Sequence, residues 1–217
     1  MARAPRIKFC GITRLIDAQR AVEADAWAIG LILWPGSERA ADPAEAERIS
    51  RLLRRQVEVA GVFVNQPLDE VAELVDTVGL SIVQLHGDEG PAYADEVARR
   101  TGAKVIKAMP VASGEDVQAL ETFRRVDFHL LDAHHPDRRG GTGRTFEWEL
   151  AARRRSKVPL ILSGGLTPAN VGAAIAHVHP YAVDVASGTE SAPGIKDPHK
   201  IEAFAAAVRA TAEVNVA

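Results

Sequence analysis

Short apolar runs alternate with longer segments in which apolar and charged residues recur at helical spacing, and the alternation holds along the whole chain. The apolar runs predict strands at Ile7 to Cys10, Ala28 to Leu33, Val57 to Val64, Ile82 to His86, Val105 to Met109, Phe128 to Asp132, Leu160 to Ser163 and Ala182 to Val185. The mixed segments predict helices at Leu15 to Ala24, Pro43 to Arg55, Leu68 to Val78, Tyr93 to Arg100, Glu115 to Phe123, Phe146 to Ala152, Pro168 to His177 and Pro198 to Val214. Asp42 before Pro43, Thr167 before Pro168 and Asp197 before Pro198 each set an N-cap oxygen ahead of a ring suited to the first helical position. Strict alternation of eight strands with eight helices predicts an α/β fold, a (β/α)8 TIM barrel. An open doubly wound sheet would follow its first strand with a glycine-rich phosphate fingerprint. Cys10-Gly11-Ile12-Thr13 stands there instead.

The length of 217 residues suits one such barrel, so residues 1–217 are read as a single catalytic domain. Twenty-six basic against 29 acidic side chains give a net charge of -3, too small a field to draw polyanions, and the run Arg153-Arg154-Arg155 has acids on the same segment. No nucleic-acid partner is expected. No apolar stretch is long enough for a bilayer or a signal peptide, which predicts a cytoplasmic protein without membrane contact. A single cysteine, Cys10, excludes an intrachain disulfide and every paired-cysteine redox or zinc motif.

In a barrel the polar residues that end the strands converge on one mouth. They are Cys10, the loop from Trp34 to Arg39, Asn65, His86, Lys107, Asp132, Ser163-Gly164-Gly165, and Asp184 with Ser187-Gly188-Thr189. Cys10 reads either as a small buried hydrophobe or as a reactive thiol beside Lys8, and Asp132 as a loop cap or as an acid. Two glycine turns, after the seventh and eighth strands, predict a phosphate site; tight turns alone are the plainer alternative. Gly140-Gly141-Thr142-Gly143 lacks the ending of a nucleotide loop and reads as a flap over the mouth. Asp132, His134 and His135 have ligand chemistry without fixed spacing, so no metal is expected. His177 and His179 read as surface or helix-end groups, Trp27, Trp148 and Phe146 as packing, and Trp34 as a wall for an aromatic pocket. A thiol and a carboxylate facing each other beside a phosphate turn predict proton transfer within a small phosphorylated molecule, the work of an isomerase or a lyase.

Six ordered segments then carry a resemblance: Lys8-Phe9-Cys10-Gly11-Ile12-Thr13, Gly61-Val62-Phe63-Val64-Asn65, Val83-Gln84-Leu85-His86-Gly87, Asp132 with Gly140 to Trp148, Leu162-Ser163-Gly164-Gly165-Leu166, and Val183-Asp184-Val185-Ala186-Ser187-Gly188-Thr189-Glu190. In this set the chain resembles the phosphoribosylanthranilate isomerase family of tryptophan biosynthesis across nearly its whole length. The resemblance implies a cofactor-free Amadori rearrangement of N-(5'-phosphoribosyl)anthranilate to 1-(o-carboxyphenylamino)-1-deoxyribulose 5-phosphate. It gives Asp132 the role of general acid on the furanose ring oxygen and Cys10 that of general base at C2'. It assigns Arg39 to the anthranilate carboxylate and Asp184 to its amino nitrogen. His86 is expected at the substrate site, and His86 and Lys8 are candidates for tuning the acid and the base. Gly143, Ser163, Gly164, Gly165, Ser187, Gly188 and Thr189 are expected to hold the phosphate. A monomer is expected, with a homodimer as the alternative. The rival readings are another phosphate-binding barrel, such as a pentose-phosphate epimerase or an indole-forming synthase subunit, and a non-catalytic barrel with no use for Cys10 opposite Asp132.

Overall fold

The computed structural model describes residues 4–132 and 144–214. Eight parallel strands close on themselves in chain order. They are β1 (Arg6–Cys10), β2 (Ala28–Ile32), β3 (Glu58–Phe63), β4 (Ile82–Leu85), β5 (Lys104–Pro110), β6 (Phe128–Asp132), β7 (Leu160–Ser163) and β8 (Ala182–Val185). The helices that follow them are α1 (Leu15–Glu23), α2 (Pro43–Leu53), α3 (Leu68–Val78), α4 (Pro91–Thr101), α5 (Gly114–Leu120), α6 (Arg144–Ala152), α7 (Val171–Val178) and α8 (Pro198–Val214). The expected (β/α)8 barrel is what the chain forms.

Side-chain alternation along each strand sorts the apolar residues into two cores. Ala28, Ala60, Ile82, Ile106, Leu130, Ile161 and Ala182 fill the bore. Ile7, Phe9, Ile29, Leu31, Val83, Leu131, Leu162 and Val183 point outward against the helices. A sheet buried on both faces explains why the strands read as continuous apolar runs rather than as alternating ones. The seam that closes the barrel pairs β1 with β8, setting Ile7 opposite Val183 and Lys8 opposite Asp184.

Asp42 caps α2 by accepting from the N–H groups of Ala44 and Glu45, and Asp197 accepts from those of His199 and Lys200 at the start of α8. At Thr167-Pro168 the expected helix does not start. Asn170 Oδ1 accepts from the Thr167 N–H while its Nδ2 donates to Gly165 O, closing a turn that delays α7 to Val171. Between β8 and α8 lie elements absent from the expectation. A 3-10 turn at Ser187–Thr189 leads into an antiparallel pair, β9 (Glu190–Ala192) and β10 (Ile195–Lys196).

Trp27 packs with Phe128 and Tyr181 at the lower end of the bore, and Trp148 is partly buried against the outer core, both as packing residues. Trp34 is exposed. His179 terminates α7 in the left-handed conformation, a helix-end role as expected. Phe146's side chain, His134, His135 and the Gly140 to Gly143 segment lie outside the described residues. Among the described residues no helix is long and apolar enough to cross a membrane.

Candidate active site

Lys8 and Cys10 stand two residues apart on β1 and therefore share its inner face, while Phe9 between them enters the outer core. Both are buried. The Lys8 ammonium donates to Asp184 Oδ1 at 2.7 Å across the closing seam, with no exposure of the lysine at all. Asp184 Oδ2 also accepts from the Ser163 hydroxyl at 3.1 Å, so β1, β7 and β8 are tied by one carboxylate. Burial pushes the Cys10 thiol above its ordinary value; Lys8 and Lys196 pull it back only in part, and Asp184 adds to the rise. The Lys8 ammonium loses to burial but gains more from Asp184 and Cys10, and ends above its usual value.

Asp132 ends β6 on the other side of the mouth, in a more open position, its side chain 23 % exposed. His86, just after β4, brings Nε2 to 3.6 Å from Asp132 Oδ2. The other ring nitrogen, Nδ1, lies 3.0 Å from Gln84 Nε2, which orients the ring from the layer below.

Arg39 follows β2 and is already engaged by two carboxylates. Its Nε and Nη2 hold the Glu190 carboxylate at 2.9 to 3.0 Å, and Nη1 donates to Glu38 at 2.6 Å. Glu190 also accepts from Lys196 Nζ at 3.2 Å, and that ammonium donates to Ala186 O at 2.8 Å. Burial raises the Glu190 carboxyl, but Arg39 and Lys196 outweigh it and hold the group below its ordinary range. Burial lowers the Lys196 ammonium despite its acidic neighbours.

The turns after β7 and β8 are packed against each other. Gly164 and Gly165 have φ of 94° and 59°, a left-handed pair that concentrates backbone N–H groups. A β-carbon on Gly188 would stand 1.9 Å from Leu166 O, so only glycine admits this approach of the two turns. The Ser163 hydroxyl is committed to Asp184 and that of Thr189 to Ala186 O. What the two turns bring close is the backbone around Gly164, Gly165, Ser187 and Gly188. Gly143 lies outside the described residues.

Of the strand-end residues, Cys10, His86, Asp132, Ser163 and Asp184 converge on the mouth, and Arg39 reaches it from its loop. Lys107 does not. It points outward from β5, donating to Glu89 Oε2 at 2.8 Å and Gly87 O at 2.6 Å, and so pins the loop that carries His86. Glu190, Lys196 and Glu89 are the charged residues that sequence reasoning left without a role. Glu190 carried one signal: an acid directly after a turn expected to hold an anion is out of place unless it holds a cation. Among the described residues no cluster of three His, Cys, Asp or Glu side chains could hold a metal ion.

The family model for N-(5'-phosphoribosyl)anthranilate isomerase matches residues 7–207. The N-(5'-phosphoribosyl)anthranilate isomerase of Pelobacter propionicus is 46% identical over 199 residues, covering 92% of this chain and 93% of the relative. That of Pseudomonas syringae pv. tomato is 46% identical over 209 residues, covering 96% and 99%. Among solved structures, phosphoribosyl anthranilate isomerase from Thermotoga maritima superposes with a TM-score of 0.87 at 41% identity, covering 95% of this chain and 99% of that one. A solved phosphoribosyl anthranilate isomerase in complex with reduced 1-(o-carboxyphenylamino)-1-deoxyribulose 5-phosphate gives a TM-score of 0.83 at 37% identity, covering 95% of this chain and 99% of that one.

Proposed function

The chain belongs to the N-(5'-phosphoribosyl)anthranilate isomerase family, and from that premise we propose how its residues divide the reaction. The enzyme converts N-(5'-phosphoribosyl)anthranilate to 1-(o-carboxyphenylamino)-1-deoxyribulose 5-phosphate, an Amadori rearrangement. Asp132 gives a proton to the furanose ring oxygen, the C1'–O bond breaks and the nitrogen lone pair completes a Schiff base. The Cys10 thiolate takes the C2' proton, and the electron pair moves through C1' to nitrogen to give an enolamine. Loss of the O2' proton and gain of one at C1' yields the ketone, and exchange with solvent returns the proton from Cys10 to Asp132.

The observation that supports this division is the placement of one acid and one thiol on β6 and β1, both facing inward at the end of the bore where the glycine turns meet. The turn backbones after β7 and β8, with Gly143, hold the phosphate and thereby fix C1' and C2' between Asp132 and Cys10. Arg39 takes the anthranilate carboxylate while Glu190 keeps its guanidinium in place, and Asp184 accepts from the amino nitrogen. His86 lines the substrate site and orients Asp132. The proposed acid, thiol and glycine turns all lie at one end of a single barrel, and the catalytic unit in this reading is a cytoplasmic monomer of one domain, working without cofactor.

Cys10→Ser and Asp132→Asn should each lower kcat by about 100-fold or more, with the thermal midpoint unchanged, followed as loss of the substrate's fluorescence. Near-full activity in either variant removes that residue from its role.

A further inference from the structure

We propose that Lys8 is the positioning residue of the base: seated in the gap that Gly30 leaves on β2, its ammonium is shared between the Cys10 sulfur and the Asp184 carboxylate and holds the thiolate in the bore. The proposal rests on the reading of Cys10 as the base and deepens it.

The gap is visible in the register. Cys10 pairs with Gly30 on the neighbouring strand, and a β-carbon added at Gly30 would stand 2.8 Å from Cys10 Sγ and 3.1 Å from Lys8 Nζ. Two residues that share a face of a strand are separated by roughly 6.6 Å along it. Here both side-chain ends lean into the same empty position, and the missing side chain of Gly30 is what lets them approach. Ordinary side chains on β2 would fill that place and part the two groups.

The charges point the same way. The charged groups that face Cys10 are Lys8 on its own strand, Asp184 on β8 and Lys196 on β10, while β2 offers only Gly30. Past Gly11 lie Arg39 and Glu190, which neutralise each other. The two ammonium groups favour the ionised form of Cys10, against burial and Asp184, which oppose it. Lys196 already donates to Ala186 O and Glu190, whereas Lys8 has Asp184 as its one hydrogen-bonded carboxylate and two further N–H donors. Lys8 is thus the cation placed to meet the sulfur directly, and Asp184 competes with the thiolate for it.

The competition predicts opposite signs for two substitutions. Cys10 is the chain's sole cysteine, so thiolate absorbance near 240 nm reads this one group, in the full chain and without substrate. Lys8→Met should move the thiol titration to higher pH by about one unit or more. Asp184→Asn should move it to lower pH, because it removes a negative neighbour and releases Lys8 to the sulfur. Gly30→Ala leaves every charge in place and should raise the midpoint like Lys8→Met, which keeps the question answerable if the latter does not fold. The rising alkaline limb of kcat/KM should follow the thiol in Lys8→Met. An unmoved midpoint, or a shift of the same sign in Lys8→Met and Asp184→Asn, overturns the sharing of Lys8. Midpoints that move as expected while the kcat/KM limb stays put would instead remove Cys10 as the base, and the role of Lys8 with it.

Discussion

The bore of the barrel ends in two opposite ways, although the same strands build both ends. At the floor, Trp27, Phe128 and Tyr181 meet edge to face or tilted, with centroids 5.2 to 5.7 Å apart, and the Arg6 guanidinium lies 5.1 Å from the Tyr181 ring centre. At the mouth, Lys8 and Asp184 are buried against each other. Arg6 and Lys8 occupy the same face of β1, and Phe128 and Asp132 the same face of β6, so roughly 7 to 13 Å along one strand separates the two environments. The floor keeps its cation hydrated and closes the bore with rings; the mouth strips Lys8 and Asp184 of water and pairs them with each other. Dehydrated ions cost stability and are held in fixed geometry, which is what proton transfer requires. The two ends should therefore fail differently when altered.

The largest expected effect is at the floor. Phe128→Ala should lower stability by about 3–5 kcal/mol in urea unfolding, while kcat of the folded enzyme stays within twofold. A loss of kcat instead would mean that the ends are not separable. Next comes the mouth: Gly188→Ala forces the β7 and β8 turns apart and should raise KM by about tenfold or more, the worth of a hydrogen bond to a charged phosphate. Steady-state kinetics with unchanged KM would detach this turn from the phosphate. Glu190→Gln has a smaller, pH-dependent consequence. The Glu190 carboxyl sits below its unfolded value, so its stabilising effect is present above the ordinary glutamate range of about 4.3 and lost as pH falls through the lower folded value. The variant should flatten the acid limb of stability against pH and raise KM as Arg39 loosens. Smallest is Lys104→Met at the floor, where the partner Glu58 is 2.6 Å away but the lysine is half exposed. Unfolding should change by about 1 kcal/mol or less; a larger loss would show that the floor also depends on ion pairs.

Much of this architecture is legible in the chain. β6, β7, β8, α3 and α8 begin and end where the apolar runs and caps place them, because aliphatic strands flanked by turn residues carry their own boundaries. Lys107 shows where legibility stops. In a strand buried on both faces nothing local says which parity faces the bore, and only the structure shows that this lysine serves the outer layer. β9 and β10 are three and two residues long, too short for any period to register. The grip of Glu190 on Arg39 joins residues 151 positions apart, beyond any local pattern. Cys10 and Asp132, proposed above as base and acid, by contrast end β1 and β6, and barrel geometry alone puts both strand ends at the mouth.

The Lys8 to Asp184 bond spans 176 positions of the chain, and this has a consequence in time. At a synthesis rate of about 5–20 residues per second, roughly 9–35 s separate the emergence of β1 from that of β8. During that interval Cys10 is an ordinary accessible thiol with no partner for its neighbouring lysine. Only when the last strand docks against the first do the burial of β1 and the ion pair come into being together. The rate at which the nascent thiol escapes alkylation is therefore a clock for closure of the barrel.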